Sequence, residues 1–393
     1  MDYTADGVDV VAHYSRSMKL LTDPRPIVLG LALTVLAGCS SLAAPPTPVK
    51  PTAATSAAPT NPAPAAAVPT VKIFEPAAGA GNTPVKIQVV GTLAEAAMYI
   101  ATERGYFADL GISPQFITYD SAARAIPALS TGQIDVAAGV LSAGLFNAID
   151  RGIDIRIVSP QSENRGCAHS STWLLVRKDL ADSGIIRTPA DLRGRKIALV
   201  SKGSTVEYFA DALLHQGNLQ STDVEYVEMS FGDMGAAFGS QAIDVAVGGE
   251  PTATTYADKG LATKWLCGAD VIPNHQYTYL LYSPQFAQQQ TGVAQRWMAA
   301  TLRGARDWQV MLDTGQDRQA ILGVVAKYTP IKDIALLERA SLPVISADGS
   351  VDLANIRSQI TWAYERGYVT HQPSADTLVD TRFVDRATQP EGR

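Results

Sequence analysis

The chain contains two segments built on the same plan, and this internal repeat constrains the fold more than any other feature. Each segment opens with a short run of apolar and β-branched residues, at 86–90 and at 196–200, and continues through a small polar turn into a helical pattern. An Ile-Asp-Val strand follows at Ile134 and Ile243, which lie 48 and 47 positions after the lysines that open the runs. A basic residue and a glycine come 17 and 16 positions later. Three landmarks in register indicate two lobes of one design.

The alternation of strand, helix and strand predicts an α/β fold, with parallel sheets that carry helices on both faces. Ligands of such open sheets bind beyond the carboxyl ends of the strands. We therefore expect a cleft between the two lobes. The loops expected to line it are 91–95, 139–143, 201–205 and 248–252.

The candidate ligand-binding residues lie in or beside these loops. They are Thr92, Glu95, Asp120, Leu141, Ser142, Glu163, Ser204, Thr205, Glu250, Thr252 and Tyr277. The hydroxyls at 204 and 205 open a helix, where they form either a ligand site or a plain N-cap. The spacing is not that of a nucleotide-binding P-loop.

Three of these candidates, Glu95, Glu163 and Glu250, are carboxylates. Glu95 either contacts the ligand or favours a helix N-terminus. Together the carboxylates favour a ligand with N–H donors or positive charge, because buried charges need partners. Arg165 would reverse that inference, so the ligand's identity stays open at this point.

The amino terminus resembles a bacterial lipoprotein signal. An apolar stretch at 26–38 ends in Leu-Ala-Gly-Cys, which is similar to a lipobox and predicts lipidation of Cys39. Met18 is the better start, because three aspartates precede it and a basic residue follows. We expect residues 1–39 to be the signal peptide and 40–84 to be a disordered Ala/Pro/Thr tether. The folded part would then lie at the extracytoplasmic face of the membrane, held by lipid.

The net charge of −6 over 393 residues argues against a nucleic-acid partner, since no basic stripe is present to neutralise phosphates. The chain is long enough for two domains with sizeable cores.

Three ordered motifs resemble the solute-binding proteins of ABC importers for nitrate, sulfonates, taurine and thiamine-pyrimidine precursors. They lie at 97–112, 125–136 and 188–197, and the first contains Gly105-Tyr106-Phe107. The resemblance implies a type II periplasmic-binding-protein fold, with two lobes, a central cleft and two crossing strands. This family often has an aromatic residue before a Glu-Pro pair, where this chain has Gly249, so a stacking contact with the ligand is in doubt.

The segments 172–176 and 277–282 fit the crossing strands, because both are rich in aromatic and β-branched residues. We therefore expect lobe I to comprise 85–176 plus 276–385, and lobe II to comprise 177–275. The carboxyl-terminal part is predicted to be helical at 295–312 and 355–368, with its aromatic residues in the core.

Two cysteines remain once Cys39 is assigned to lipid. In an exported protein, Cys167 and Cys267 suggest a disulfide near the hinge. A metal site that adds His169 and His275 fits on spacing alone, but no closed ligand set is indicated. We expect no metal and no cofactor.

No catalytic motif of a hydrolase, metalloprotease or dinucleotide enzyme is present in the sequence. The prediction is therefore a monomeric binding protein and not an enzyme. It would capture a small polar organic or anionic solute, of sulfonate, nitrate or pyrimidine type, and deliver it to an ABC permease with a cytoplasmic ATPase. The alternatives are an extracellular ligand sensor and a cryptic enzyme on the same fold.

Overall fold

A computed structural model of the protein describes residues 83–388. The predicted signal peptide, Cys39 and residues 40–82 of the predicted tether lie outside the described residues. Thr83 and Pro84, expected to end the tether, already belong to the first strand. The strands are β1 Thr83–Val89, β2 Ile112–Thr118, β3 Val136–Gly139, β4 Arg156–Asn164, β5 Thr172–Arg177, β6 Lys196–Leu199, β7 Glu225–Glu228, β8 Val245–Gly249, β9 Ala262–Cys267 and β10 His275–Tyr282.

Sixteen helices accompany the strands between residues 83 and 388, and none of them is both long and apolar enough to cross a membrane. They are α1 Ala96–Glu103, α2 Tyr106–Asp109, α3 Ala122–Ser130, α4 Ala143–Asp150, α5 Lys178–Asp182, α6 Thr205–Gln216, α7 Phe231–Gly239, α8 Thr252–Asp258, α9 Gly268–Val271, α10 Pro284–Gln289, α11 Thr291–Thr314, α12 Arg318–Tyr328, α13 Ile334–Arg339, α14 Leu353–Glu365, α15 Ala375–Leu378 and α16 Arg382–Thr388. Short 3-10 turns occur at Leu93–Glu95, Cys167–His169, Pro189–Leu192 and Ser221–Asp223.

Two five-stranded sheets of matching topology organise these elements. The first has the order β2-β1-β3-β10-β4 and the second has the order β7-β6-β8-β5-β9. In each sheet the first three strands are parallel, and the fourth is antiparallel to both of its neighbours. We call the elements built on the first sheet lobe I and those built on the second lobe II.

The repeat seen in the sequence corresponds to a repeated hydrogen-bond pattern. In lobe I the Asp135 carboxylate accepts a hydrogen bond from the Lys86 amide at 2.8 Å, and the Asp135 amide donates to the Lys86 carbonyl at 2.9 Å. In lobe II, Asp244 and Lys196 form the same pair of contacts, each at 3.0 Å. The aspartate of each Ile-Asp-Val strand therefore fixes the register of its parallel neighbour.

The expected division into lobes differs from the structure at two places. Residues 172–176 are expected in lobe I, but β5 is hydrogen-bonded between β8 and β9 of the second sheet. His275 is expected to end lobe II, but it begins β10 of the first sheet. The chain has already crossed when β5 begins, so the crossing segment is the short connection 165–171 after β4. The helical pattern that follows the first polar turn forms two helices, α1 and α2, separated at Gly105, which adopts a left-handed conformation with a φ of 76°.

The lobe I sheet is covered on both faces, and the long helix α11 supplies much of the cover on one of them. Its aromatic residues Trp297 and Trp308 are fully buried, which confirms the core role expected from their spacing. Helix α11 crosses α1 very closely at Gly304, where an added Cβ would lie 2.0 Å from the Ala97 carbonyl oxygen. Only glycine allows the two backbones to approach this closely.

A disulfide joins Cys167 to Cys267. Cys167 lies in the connection from β4 to β5, and Cys267 ends β9, just before the return connection to β10. The bond therefore ties the two segments through which the chain passes between the lobes. It also removes both thiolates from the alternative metal set that included His169 and His275.

Candidate functional site

A cleft opens where loops of the two sheets face each other, with an empty volume of about 560 Å³ that includes the part open to solvent. Its walls come from both lobes. They consist of Val90, Thr92, Leu93, Ala94, Glu95, Asp120, Ser121, Ala122, Gly139, Val140, Gln161, Ser171, Val200, Val206, Phe231, Gly249, Glu250, Tyr277 and Thr278. Most of the exposed wall is apolar, with a small number of polar groups, which is the usual character of a small-molecule site.

Three polar side chains in this wall have hydrogen-bonding atoms without a partner among the described residues. Both the amide nitrogen and the amide oxygen of Gln161 are buried and unpaired, as are the hydroxyls of Ser121 and Ser171. These residues are 2%, 2% and 8% exposed, respectively. Buried polar groups are almost always hydrogen-bonded, because leaving them unpaired is costly. Three of the described residues with such atoms face this cleft, where a ligand can reach them, whereas others, Gln88, Tyr99 and His275 among them, lie outside its wall.

The carboxylate of Glu95 is engaged by its own loop. One oxygen accepts a hydrogen bond from the Val90 amide at 2.9 Å, and the other accepts from the amide and hydroxyl of Thr92 at 2.5 and 3.0 Å. Burial is the largest influence on its pKa and raises it to about 6, against the lowering effect of these donors. Glu95 is therefore mostly ionised at neutral pH and fixes the loop that forms one edge of the cleft.

An aromatic face is present in spite of the glycine at 249. The Phe231 ring packs directly over Gly249, where an added Cβ would lie 3.3 Å from the ring. Phe231 is the first residue of α7, 18 positions earlier in the chain. Tyr277 belongs to β10 of lobe I, but its ring packs against Phe209 of α6 in the lobe II core, with ring centroids 5.2 Å apart. Burial raises the pKa of Tyr277 to about 12, so its phenol stays protonated. The cleft therefore has two aromatic side chains in its wall, Phe231 and Tyr277.

Glu250 lines the cleft, but protein groups already hold its carboxylate. Lys264 forms an ion pair with it at 2.5 Å, Thr254 donates to it twice, and the Ser341 amide donates at 3.2 Å. Its main-chain oxygen also accepts a hydrogen bond from the Leu93 amide of lobe I at 3.2 Å. These contacts join the lobes at this edge of the cleft.

Of the eleven candidate residues, five lie in the cleft wall and six lie elsewhere. Those in the wall are Thr92, Glu95, Asp120, Glu250 and Tyr277; those elsewhere are Leu141, Ser142, Glu163, Ser204, Thr205 and Thr252. Asp120 is partly exposed and forms an ion pair with Arg124 at 2.9 Å.

Four of the residues outside the wall form a contact between the lobes, which we call the clasp and define as residues 141–143 and 203–205. The Ala143 amide donates to the Gly203 carbonyl at 2.7 Å, and the Thr205 amide donates to the Leu141 carbonyl at 3.0 Å. Ser142 and Ser204 form the antiparallel bridge between these two bonds. Both serine hydroxyls act as N-caps, of α4 and α6. For Ser204, for which the sequence allows either a ligand contact or a plain N-cap, the hydroxyl makes the N-cap contact in this conformation.

The other two have structural contacts of their own. Glu163 accepts a hydrogen bond from Gln276 and forms an ion pair with Arg165 at 2.7 Å. Thr252 is the first residue of α8. Neither residue belongs to the wall of the cleft in this conformation.

A second contact between the lobes involves α6 of lobe II and α14 with its following turn in lobe I. Arg366 forms an ion pair with Glu207 at 2.7 Å and with Asp211 at 3.1 Å. The indole of Trp362 donates to Asp211 at 2.8 Å. Glu207 is fully buried, so this network is a strong constraint on how the lobes sit.

Sequence reasoning missed Gln161, Ser121, Ser171 and Phe231. Gln161 lies inside β4, a fully buried strand end in which glutamine, serine, glutamate and asparagine follow one another. Consecutive buried polar residues in a strand are unusual, and this pattern is the one feature of the sequence that could have indicated a site there. No comparable pattern in the sequence indicated that Phe231 lies at the site.

The chain is similar to a known family in sequence and to solved structures in fold. A family model described as NMT1/THI5 like matches residues 94–311. The periplasmic nitrate-binding protein NrtA from Synechocystis PCC 6803 superposes with a TM-score of 0.66 at 13% identity, covering 78% of this chain and 88% of that one. The periplasmic aliphatic sulphonate binding protein SsuA from Escherichia coli gives 0.59 at 19%, covering 78% and 100%.

The desulfurization enzyme DSZB shares the fold as well, with a TM-score of 0.54 at 14% identity and coverage of 78% and 99%. No curated protein sequence matches the chain. The structural likenesses confirm the predicted two-lobed α/β fold of periplasmic binding proteins. Since the family model spans more than half of the chain, the protein belongs to the NMT1/THI5-like family.

Proposed function

We propose that this protein is the extracytoplasmic solute-binding component of an ABC importer. It captures a small solute in the cleft between its lobes and presents the closed form to a membrane permease. The observation that carries the proposal is the set of buried, unpaired hydrogen-bonding groups of Gln161, Ser121 and Ser171 around one cleft. A ligand that pairs them stabilises the closed form by contacts available only there.

The fold neighbours support the same role, because NrtA and SsuA are named as periplasmic nitrate-binding and sulphonate-binding proteins. We further propose that Cys39 carries a lipid, that 40–84 tethers the folded part to the membrane, and that the protein acts as a monomer beside its permease. The disulfide supports an extracytoplasmic location, since such bonds persist in oxidising compartments.

An enzyme is the second candidate, because DSZB shares the fold. The chemistry of the cleft favours binding. Among residues 83–388, no cysteine or histidine lines it, and neither Ser121 nor Ser171 has a side-chain base bonded to its hydroxyl. Nucleophilic catalysis needs an activated nucleophile with such a partner.

The test is thermal unfolding of the full chain, with Cys39→Ser to prevent lipidation, against a panel of nitrate, alkanesulfonates, amides, aminopyrimidines and small amines. A true ligand at about a hundred times its dissociation constant adds about 2.7 kcal/mol to the free energy of unfolding. Turnover assays on each responder separate binding from catalysis. Product formation, or the absence of any responder in the panel, would contradict the proposal.

A further inference from the structure

We propose that the cleft selects an uncharged solute that carries a hydrogen-bond donor and an acceptor side by side, as a carboxamide does, and that it rejects oxyanions. This inference rests on the proposed function and names the class of solute. It follows from the unpaired polar groups, from the charges around the cleft and from its apolar walls.

The unpaired groups suit a solute that presents a hydrogen-bond donor and an acceptor along one edge. The Gln161 amide has two donors on its nitrogen and an acceptor oxygen, and both atoms are unpaired. The Ser121 and Ser171 hydroxyls each donate and accept. An amide edge presented to Gln161 satisfies its oxygen and its nitrogen together. An oxyanion has acceptors only, so it would leave the Gln161 oxygen without a donor.

The charges around the cleft disfavour an anion. Within residues 83–388, no lysine, arginine or histidine lines it, whereas Glu95, Asp120 and Glu250 do. Arg124 and Lys264 compensate the charges of Asp120 and Glu250, so Glu95 is the carboxylate of the wall that has no ion pair among the described residues. A buried oxyanion needs a cationic or strongly donating partner. Placing one near Glu95 adds repulsion to the loss of hydration.

Helix N-termini are a further source of positive potential, and carboxylates lie beside those near the cleft. At α8 the Glu250 carboxylate accepts a hydrogen bond from the Thr254 amide, and on α7 Asp233 sits in the first turn. Glu95 immediately precedes α1 and Asp120 lies two residues before α3, although neither caps its helix by a side-chain hydrogen bond. Acidic groups at these positions reduce the partial positive charge of the helix ends.

The apolar walls of the cleft indicate the chemical character of the remaining part of the solute. Val90 and Leu93 of lobe I and Val200 and Phe231 of lobe II face the same space. A flat apolar body against the Phe231 ring buries surface on both sides while its polar edge meets Gln161. The class indicated is therefore a compact molecule with an amide-type edge and an apolar, preferably planar, remainder.

The experiment compares matched pairs of probes on the full chain by calorimetry and thermal unfolding. The pairs are acetamide with acetate, benzamide with benzoate, and benzenesulfonamide with benzenesulfonate, at neutral pH. Members of a pair are close in shape and differ in charge. We expect the uncharged member of at least one pair to bind ten times or more tightly than its anion.

Two variants locate the interaction. Gln161→Leu removes the amide and should weaken binding of the uncharged probe by about tenfold or more, because each tenfold corresponds to the loss of a modest buried hydrogen bond. Gln133→Leu makes the same change in an exposed turn before β3 and should leave the affinity unchanged.

The outcomes separate the two proposals. Anions that bind as tightly as their uncharged partners, or a Gln161→Leu protein with unchanged affinity, overturn the selectivity inference while capture in the cleft stands. No binding by any probe overturns the selectivity inference as well. Solute capture itself falls only if the wider panel also gives no response.

Discussion

Gln161 shows at the scale of one residue how an unpaired polar group weakens a folded protein. A buried amide with neither atom paired lowers the stability of the folded chain, since the same amide is hydrogen-bonded to water when the chain is unfolded. In the proposed function a solute restores the bonds that Gln161 lacks. Gln359 is a useful contrast, because it is equally buried and its amide has protein partners on both sides.

Substitution of these two glutamines should therefore change stability in opposite directions. Gln161→Leu is expected to raise the free energy of unfolding by about 1 kcal/mol, because it removes unpaired polar atoms. Gln359→Leu is expected to lower it by about 1–3 kcal/mol, because Thr205 and Asn355 lose their partner. Urea unfolding of the ligand-free proteins measures both. A loss of stability in Gln161→Leu as large as that in Gln359→Leu would show that Gln161 has a structural role.

His275 makes the stability of the protein depend on pH. It is buried beside the rings of Tyr208 and Phe209, neither ring nitrogen has a partner among the described residues, and burial lowers its pKa to about 3. The unfolded chain binds this proton near pH 6.5 and the folded chain does not. The stability contributed by neutral His275 is thus complete above pH 6.5 and is lost as the pH falls towards 3.

His275→Phe should remove this dependence. Between pH 7 and pH 5 the free energy of unfolding of the wild-type protein is expected to fall by about 2 kcal/mol more than that of the variant. This is the difference predicted when the unfolded chain binds one proton more than the folded chain. Urea unfolding of both proteins at the two pH values measures this difference. The contributions of other titrating groups, such as Glu95, cancel in the comparison because both proteins contain them. Equal losses in the two proteins would contradict a buried neutral histidine.

At the scale of elements, the sequence predicted strands and helices well where periodicity was strong. The Ile-Asp-Val strands, α6 and the buried face of α11 agree with their patterns. The sheet to which β5 belongs could not be predicted, because a short apolar strand fits either lobe until its hydrogen-bond partners are known. The break between α1 and α2 falls at Gly105, a residue type that commonly ends a helix.

At the crossing of α1 and α11, we predict that replacing a helical glycine by alanine destabilises the protein. Helix propensity alone predicts the opposite effect. Gly304→Ala should lower the free energy of unfolding by about 1–3 kcal/mol, because the new Cβ meets the backbone at Ala97. Gly323→Ala, in the middle of α12 with only one atom within 4 Å of its new Cβ, should raise it by about 1 kcal/mol. Thermal unfolding of both variants tests this. A stabilised Gly304→Ala protein would mean that the helices cross at a greater distance.

At the scale of the whole molecule, the repeat predicted two lobes with a cleft, and five candidate residues do line that cleft. The contacts between lobes were not predictable from the sequence. The partners in the clasp are about 60 residues apart, with Thr205 and Leu141 separated by 64 positions. Phe231 reaches Gly249 only because α7 and β8 are neighbours in the fold. Such pairings depend on how distant segments meet, and no local pattern records them.

The clasp can be weakened without disturbing either helix. Ala143 is the first residue of α4, where proline is well tolerated, and Ser142 before it is extended, with φ −151° and ψ 156°. Ala143→Pro deletes the donor to Gly203 and should increase amide hydrogen exchange at Thr205 about fivefold, as loss of about 1 kcal/mol predicts. Ala143→Ser keeps the donor and is the control. Unchanged exchange in the proline variant would show that other contacts alone hold the lobes together.

Because the clasp joins main-chain groups, its bonds do not depend on which side chains the clasp carries. Nearly every point mutation leaves them intact, with proline at either donor as the exception. The wall residues to which the proposed selectivity is assigned, Gln161 and Phe231, contribute their side chains instead. A substitution in the wall can therefore change which solute fits the cleft and leave the main-chain bonds between the lobes as they are.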